Sequence, residues 1–501
     1  MNPLILSLLP IVFILILVLV FRKSLFFSAP LTFVLTLLLS LFFWKMQSAY
    51  IFASSLKGLF IAIEITLIVF GALFFLDVLK KKGIVESIEY HLSHLSADKR
   101  VQAILLCWFF GSLLEGASGF GAPAAIVAPL LVGIGFPAIT AVAIALIANS
   151  APVVFGAVGT PINLGFSGLN VTNVSFYAGL TNLIVGTFVP LMIISVLVLL
   201  NSKTKKWKHI KDSIPFSIAA GLCFMVPYFI ISMFSSEFPT LIGSIIGMGL
   251  LVLIIKKKFL MPKHEWVFEY GRKEKLKVKY GFFKSFLPYL IVVVLLVITR
   301  FLPVTSFNYQ ILDGIAHNFN LFNSGIIFFA IALIYSLHSA SAIKYSLKDS
   351  FFKLEKAFVA LFFVAAFVQL MANTNFNSSG LSSMVGIMAG FASTSALPFI
   401  APFIGALGAF IAGSATVSNL LFGKFHVESA TLLGMNAQKI LALEVVGSAA
   451  GNMIALNNIV AAEATVKLHG QEEKLIKINI IPCLIYLAIA GLVGLVLVLA
   501  F

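Results

Sequence analysis

One acid sits inside a run of small residues, Gly111-Ser-Leu-Leu-Glu-Gly-Ala-Ser-Gly-Phe-Gly-Ala-Pro123, and gives the first sign of chemistry in this chain. The flanking sequence is apolar on both sides, so Glu115 is read as lying at bilayer depth. A charged side chain there costs about 2.5 to 3.5 kcal/mol to insert, which makes an acid retained at that depth a functional candidate, here for carrying a proton. Gly116, Gly119 and Gly121, with Pro123 behind them, should break a helix near mid-membrane. Unwound backbone is tolerated there only where protein buries it or where it lines a wet cavity. The first turn of a half-helix then offers free N–H groups and a partial positive charge to a carboxylate, glycine allows close approach, and Ser118 adds a hydroxyl. The bland account of the same residues is close helix packing, which small side chains also serve.

Other polar groups compete with this segment. Thr160 and Asn163 follow a second glycine-proline run, and Ser414-Ala-Thr-Val-Ser-Asn419 follows Pro398 and Pro402, so Thr416, Ser418 and Asn419 could face a further break. A third candidate is Gly447-Ser-Ala-Ala-Gly-Asn452 with Asn457 and Asn458. Glu64, Glu444 and Glu463 lie in or at the edge of apolar runs, and Glu463 is the second choice after Glu115 for a coupled proton. His338 lies near a span end and Arg300 closes another, where snorkelling to the interface is expected. His91 and His94 have a spacing that could bind metal, but no third ligand is in view and solvated surface is the expectation. Cys107, Cys223 and Cys483 are far apart and read as small hydrophobes. No His-Glu-x-x-His, Gly-x-Ser-x-Gly or phosphate-binding loop occurs, so neither an enzyme nor a chain that burns ATP by itself is expected, and no cofactor or metal is implied.

The elements that must hold these residues are helical spans. Of 501 residues, 60% are hydrophobic and 11% charged, against about a quarter charged in soluble domains. Apolar runs of about 20 residues recur along the chain, far longer than the strands of a membrane barrel. The expected fold class is an all-α polytopic membrane protein with about 12 to 14 spans, as judged by apolar runs. The net charge of +15 is gathered in loops near 80–100, 201–213 and 256–284. Orientation with these loops inside, and contact with anionic membrane lipids, explain that charge without a nucleic-acid partner. The first apolar run lacks a basic leader and a cleavage site, so it is expected to remain as a span with its N-terminus outside.

Organisation along the chain reads as N-terminal scaffold spans over 1–79, an interfacial amphipathic helix over 80–100, a broken-helix transport segment over 101–200, scaffold spans with basic loops over 201–356, a second transport segment over 357–462, and a C-terminal span over 463–501. At an offset of 256 residues, Thr160, Asn163, Leu164 and Phe166 fall on Thr416, Asn419, Leu420 and Phe422, and Leu114 and Phe120 fall on Leu370 and Phe376. This predicts an internal repeat, with both copies in the same orientation when spans are counted from the basic loops.

Leu-Leu-Glu-Gly-Ala-Ser-Gly-Phe-Gly-Ala-Pro at 113–123 resembles the signature of the bacterial L-lactate permease family. The resemblance continues through Ala148-Asn-Ser-Ala-Pro-Val-Val-Phe-Gly-Ala-Val-Gly-Thr-Pro161, through Gly413-Ser-Ala-Thr-Val-Ser-Asn-Leu-Leu-Phe-Gly423 and through Ala449-Ala-Gly-Asn-Met-Ile-Ala455. It implies a multi-pass protein of the bacterial cytoplasmic membrane that moves lactate, and often glycolate, with protons. Asn149 and Ser150 join the candidate substrate contacts on this ground. A sodium-coupled or exchange carrier of a related anion, such as a dicarboxylate, is the alternative, and both monomer and homodimer remain open.

Overall fold

The computed structural model describes residues 2–119, 121–202, 204–268, 278–299, 302, 306–320, 323–336 and 340–499. His338 and Arg300 lie outside them. Among the described residues, ten helices are long and apolar enough to cross a membrane, and the bent pair Ala138–Ala148 and Ala151–Asn163 makes eleven. Pro3–Val18, Ala122–Gly133, Ser324–Ser336 and Leu397–Ala412 are shorter apolar helices, so a count of 12 to 14 is reached only by adding some of these. The chain is therefore a multi-pass, mostly helical membrane protein.

The three basic loops meet at one end of the molecule, as an inside location for all of them requires. Arg100, fully buried, is the fastener. It donates to Asp98 Oδ2 (2.6 Å), to the His209 carbonyl and Ser213 Oγ (3.0 Å each), and to the His264 carbonyl (2.6 Å). Each loop supplies one side of that arrangement. Lys99 Nζ adds a bond to the Ile134 carbonyl at 2.6 Å. The amphipathic helix Ile84–Ser93 turns Ile84, Ile88 and Leu92 inward against the span Phe282–Thr299 rather than toward lipid. His91 is accordingly not free surface: its Nε2 lies 2.9 Å from the Tyr280 carbonyl, while His94 stays exposed.

Two hairpins and two broken spans fill the centre. The first hairpin joins Lys99–Ser118 to Ala122–Gly133 through a tip where Gly119 and Gly121 have φ of +58° and +76°, conformations that glycine adopts without a Cβ penalty. The second joins Leu397–Ala412 to Ala415–Leu432 through Gly413 (φ +69°). In it Ser418 Oγ reaches back to the Gly405 carbonyl at 2.7 Å, so the two arms run side by side. Each hairpin is followed by a broken span: Ala138–Ala148 bends by 49° into Ala151–Asn163, and Ala437–Gly451 passes through an irregular turn into Leu456–Thr465.

The last helix, Glu472–Leu499, fixes the direction of these units. Near its start Asn479 Nδ2 donates to the carbonyls of Ala143 (3.3 Å) and Met453 (2.9 Å); near its end the Leu497 carbonyl accepts from Lys439 Nζ (2.9 Å). The first broken span thus starts at the basic end and runs away from it, and the second runs toward it. The hairpins likewise enter from opposite ends, and their tips converge: a Cβ on Gly121 would stand 2.5 Å, and one on Gly413 3.5 Å, from Asn458 Oδ1. The expected same-orientation repeat is not confirmed by this arrangement. Thr160 lies in the second half of a broken span and Thr416 in the second arm of a hairpin, so the offset of 256 pairs unlike elements. Span counting missed the reversal because it cannot see a helix that turns back halfway.

Between Phe282–Thr299 and Ser324–Ser336 lies an antiparallel β-hairpin, Ser306–Leu312 with Ile315–Asn320, turning at Asp313-Gly314. It was not foreseen. It brings His317 onto Glu64 of the long helix Ser48–Lys82, Nε2 to Oε2 3.0 Å.

Candidate functional site

Where the hairpin tips and the breaks converge there is a small cavity of about 10 Å³, room for about one water molecule in this conformation. The first hairpin contributes Glu115, Gly119 and Gly121; the first broken span contributes Asn149, Val153, Gly156 and Ala157; the second hairpin contributes Ser414, Ala415 and Thr416; the second broken span contributes Asn452. Asn149 and Asn452 hold equivalent places, each the residue that ends the helix before its break.

Glu115 is 2% exposed, on the last turn before the tip. Its carboxylate lies over Gly156, where a Cβ would fall 2.2 Å from Oε1, so the unwound segment can approach the acid only because residue 156 has no side chain. Beyond it Ala157, Val158 and Gly159 all adopt positive φ, two of them with a Cβ, and the chain regains helix at Thr160. Such backbone persists only where its surroundings over-determine it. Here the neighbours do so by bonding the carbonyls that unwinding frees. Tyr228 OH (2.9 Å) and Asn182 Nδ2 (3.2 Å) donate to the Ala151 carbonyl, Thr240 Oγ1 donates to that of Pro152 (2.7 Å), and Tyr486 OH donates to Asn182 Oδ1 (2.6 Å). None of these four was singled out in the sequence; a lone Asn and two Tyr within apolar spans were the available signal.

The polar atoms of the cavity divide into satisfied and unsatisfied sets. Asn452 is engaged at both ends, accepting from Asn458 Nδ2 (2.8 Å) and donating to the Ser448 carbonyl (3.2 Å). Ser414 caps its helix by accepting from Val417 N. Glu115 and Asn149 lie side by side, and among the described residues Glu115 Oε2 and both side-chain atoms of Asn149 are buried without a hydrogen bond of good geometry, a costly condition unless a ligand or solvent completes it.

Of the residues singled out from sequence, Glu115, Gly119, Gly121, Asn149, Ser414, Thr416 and Asn452 line the cavity. Several others do not. Gly116 packs on Leu241, where a Cβ would meet its atoms at 2.9 Å. Ser118 bonds the Leu114 carbonyl of its own helix, Ser150 in the break bonds the Ile147 carbonyl of the preceding helix, and Ser418 braces the second hairpin. Asn419 Nδ2 joins the two units through the Pro161 carbonyl at 2.8 Å. Thr160 and Asn163 line a neighbouring chamber of about 40 Å³ with Glu64 and Glu237, which adjoins a vestibule of about 560 Å³ at the end opposite the basic loops. Glu463 is buried at the end of the second broken span, beside Glu472 and His469 and away from the cavity. Glu444, a rival acid, is fully buried and paired to His426 at 2.8 Å, a partner the scattered histidines did not betray.

Comparison with known proteins adds to this geometry. The sequence pattern of a family described as L-lactate permease matches residues 3–328 and 314–501. This chain belongs to the L-lactate permease family. The permease-family chain is 31% identical over 474 residues to a putative L-lactate permease of Haemophilus influenzae, with 86% of each protein covered. It is 27% identical over 544 residues to the glycolate permease GlcA of Escherichia coli, covering 98% of this chain and 94% of that one. Among solved structures it is similar to the YdaH transporter of Alcanivorax borkumensis, with a TM-score of 0.46, 15% identity and 89% and 88% of the two chains covered. In the permease family, then, the converging hairpins, the enclosed acid and the unsatisfied amide belong to a membrane transport protein.

Proposed function

We propose that this permease is a secondary carrier of L-lactate and of related short 2-hydroxy monocarboxylates such as glycolate, coupled to protons, in the bacterial cytoplasmic membrane with the basic loops inside. The observation that carries the reading is the small central cavity lined by both Glu115 and the first turn of the helix Ala415–Leu432. That turn suits a carboxylate, since its leading N–H groups have no partner within the helix and the helix dipole favours an anion. The names of the relatives supply the substrate class. Glu115 supplies the coupling: a protonated, neutral Glu115 removes the like-charge repulsion that an arriving carboxylate would meet, so proton and substrate bind together. The loaded complex then carries one negative charge fewer than the substrate and an ionised acid together, which lowers the cost of enclosing it in apolar surroundings.

The test is uptake of labelled lactate by proteoliposomes with a pH gradient or a sodium gradient imposed separately. Accumulation driven by the pH gradient alone is expected. Accumulation driven only by sodium, or preference for a dicarboxylate over lactate, would replace this reading with that of a sodium-coupled or exchange carrier. Saturable counterflow of unlabelled against labelled lactate separates a carrier from a channel.

A further inference from the structure

We infer that Asn149 is the residue that recognises the 2-hydroxyl of the substrate and so separates 2-hydroxy acids from plain carboxylic acids. The inference rests on the reading of the central cavity as the substrate site. Two independent features of that cavity point to one ligand. The first is the start of the helix Ala415–Leu432, 18 residues long, whose residues Ala415 and Thr416 line the cavity at the positions where backbone N–H groups have no partner within the helix. The second is Asn149, 4% exposed and beside the Glu115 carboxyl, with neither Oδ1 nor Nδ2 in a hydrogen bond of good geometry among the described residues. A carboxylate satisfies the first feature and accepts hydrogen bonds only. A hydroxyl both donates and accepts, and the amide of Asn149 offers the matching acceptor and donor.

The remaining polar groups are poorly suited to that task. Asn452, in the equivalent place on the second broken span, already uses Oδ1 toward Asn458 and Nδ2 toward the Ser448 carbonyl. Ser414 is engaged as a helix cap. Glu115 in its protonated form serves the carboxylate's charge. The rest of the wall near Asn149, Val153 and Ala157, is apolar and small, as the methyl of lactate or the methylene of glycolate requires. A site built around a substrate hydroxyl discriminates against an analogue without it, because the buried polar group is then left unpaired.

The experiment measures equilibrium binding of lactate and of propionate, which has the same carboxylate and carbon chain but no hydroxyl, to the purified full-length carrier. The parent is expected to bind lactate at least about tenfold more tightly than propionate. Asn149→Leu, close to isosteric, should lower the affinity for lactate to that for propionate, bringing the ratio near one. Asn149→Ala gives the same readout should the leucine variant not be recovered, since it adds no bulk beside Glu115. A ratio unchanged from the parent in either variant would overturn the assignment, as would equal loss of both acids, which would make Asn149 a carboxylate contact. A parent carrier that binds neither acid would instead overturn the transport reading, and this assignment with it.

Discussion

Glu115 and the pair His426–Glu444 show how differently two buried acids can be placed. Glu115 faces a cavity with one oxygen unpaired, whereas Glu444 and His426 are wholly enclosed and bonded to each other at 2.8 Å. The first arrangement suits a proton that comes and goes. Glu115→Gln mimics the protonated acid, so the variant should still exchange lactate for lactate but fail to concentrate it under a pH gradient, the two activities being compared in the same liposomes. A Glu115→Gln carrier that still accumulates lactate would move the proton site elsewhere. The His426–Glu444 pair instead fastens the second hairpin to the second broken span. Removing one member leaves the other buried and unpaired, at a cost of about 3 to 5 kcal/mol. His426→Leu should therefore lower the thermal stability of the carrier in detergent sharply, and the double variant His426→Leu, Glu444→Leu should recover most of the loss.

At the scale of elements, the hairpin tips are set by backbone that only glycine supplies cheaply. Gly121 has φ of +76° and no room for a Cβ beside Asn458, while Gly119 has φ of +58° with Ala157 2.9 Å from where its Cβ would be. A branched side chain at either place must displace the opposing break and not merely fill space. Gly119→Val and Gly121→Val carriers should reach the membrane, because the scaffold spans do not depend on the tip, yet lose lactate binding by at least about tenfold. Normal binding in these variants would mean that the tip packs helices and does not form the site.

For the whole molecule, the decisive feature is that two hairpin and broken-span units of opposite direction share one cavity, inside a scaffold fastened at the basic end by Arg100. The guanidinium ties Asp98, His209 and His264, residues from three separate loops, in a place with no exposure. Its loss leaves Asp98 without its charge partner and removes a donor from the His209 and His264 carbonyls, of which the first keeps Ser213 Oγ. Arg100→Ala should lower the unfolding midpoint of the carrier by several degrees or prevent its recovery, with Arg100→Lys intermediate because a single ammonium cannot satisfy the same fork of acceptors. An unchanged midpoint for Arg100→Ala would show that the loops are held by other means.

The sequence by itself determined the helical, multi-pass membrane class, and it singled out the basic loops and the glycine-rich segment around Glu115. These rest on local quantities: apolar length, charge along the chain and the conformational freedom of glycine. Only the tertiary structure decided which polar residues share a cavity. Ser118, Ser150 and Ser418 have hydroxyls of the right kind, but each spends its hydrogen bond on a nearby carbonyl, while Asn149 does not; sequence cannot tell these cases apart because a hydroxyl's partner is set by distance in space. The expected repeat is not confirmed for a related reason. Matching Thr160 and Asn163 to Thr416 and Asn419 compares residue types, whereas the positive-φ glycines Gly119 and Gly413 and the helix-ending Asn149 and Asn452 are placed by the path of the backbone. A helix that crosses the bilayer and one that turns back within it satisfy the same local rules, and only contacts across hundreds of residues, such as Asn479 to Ala143, choose between them.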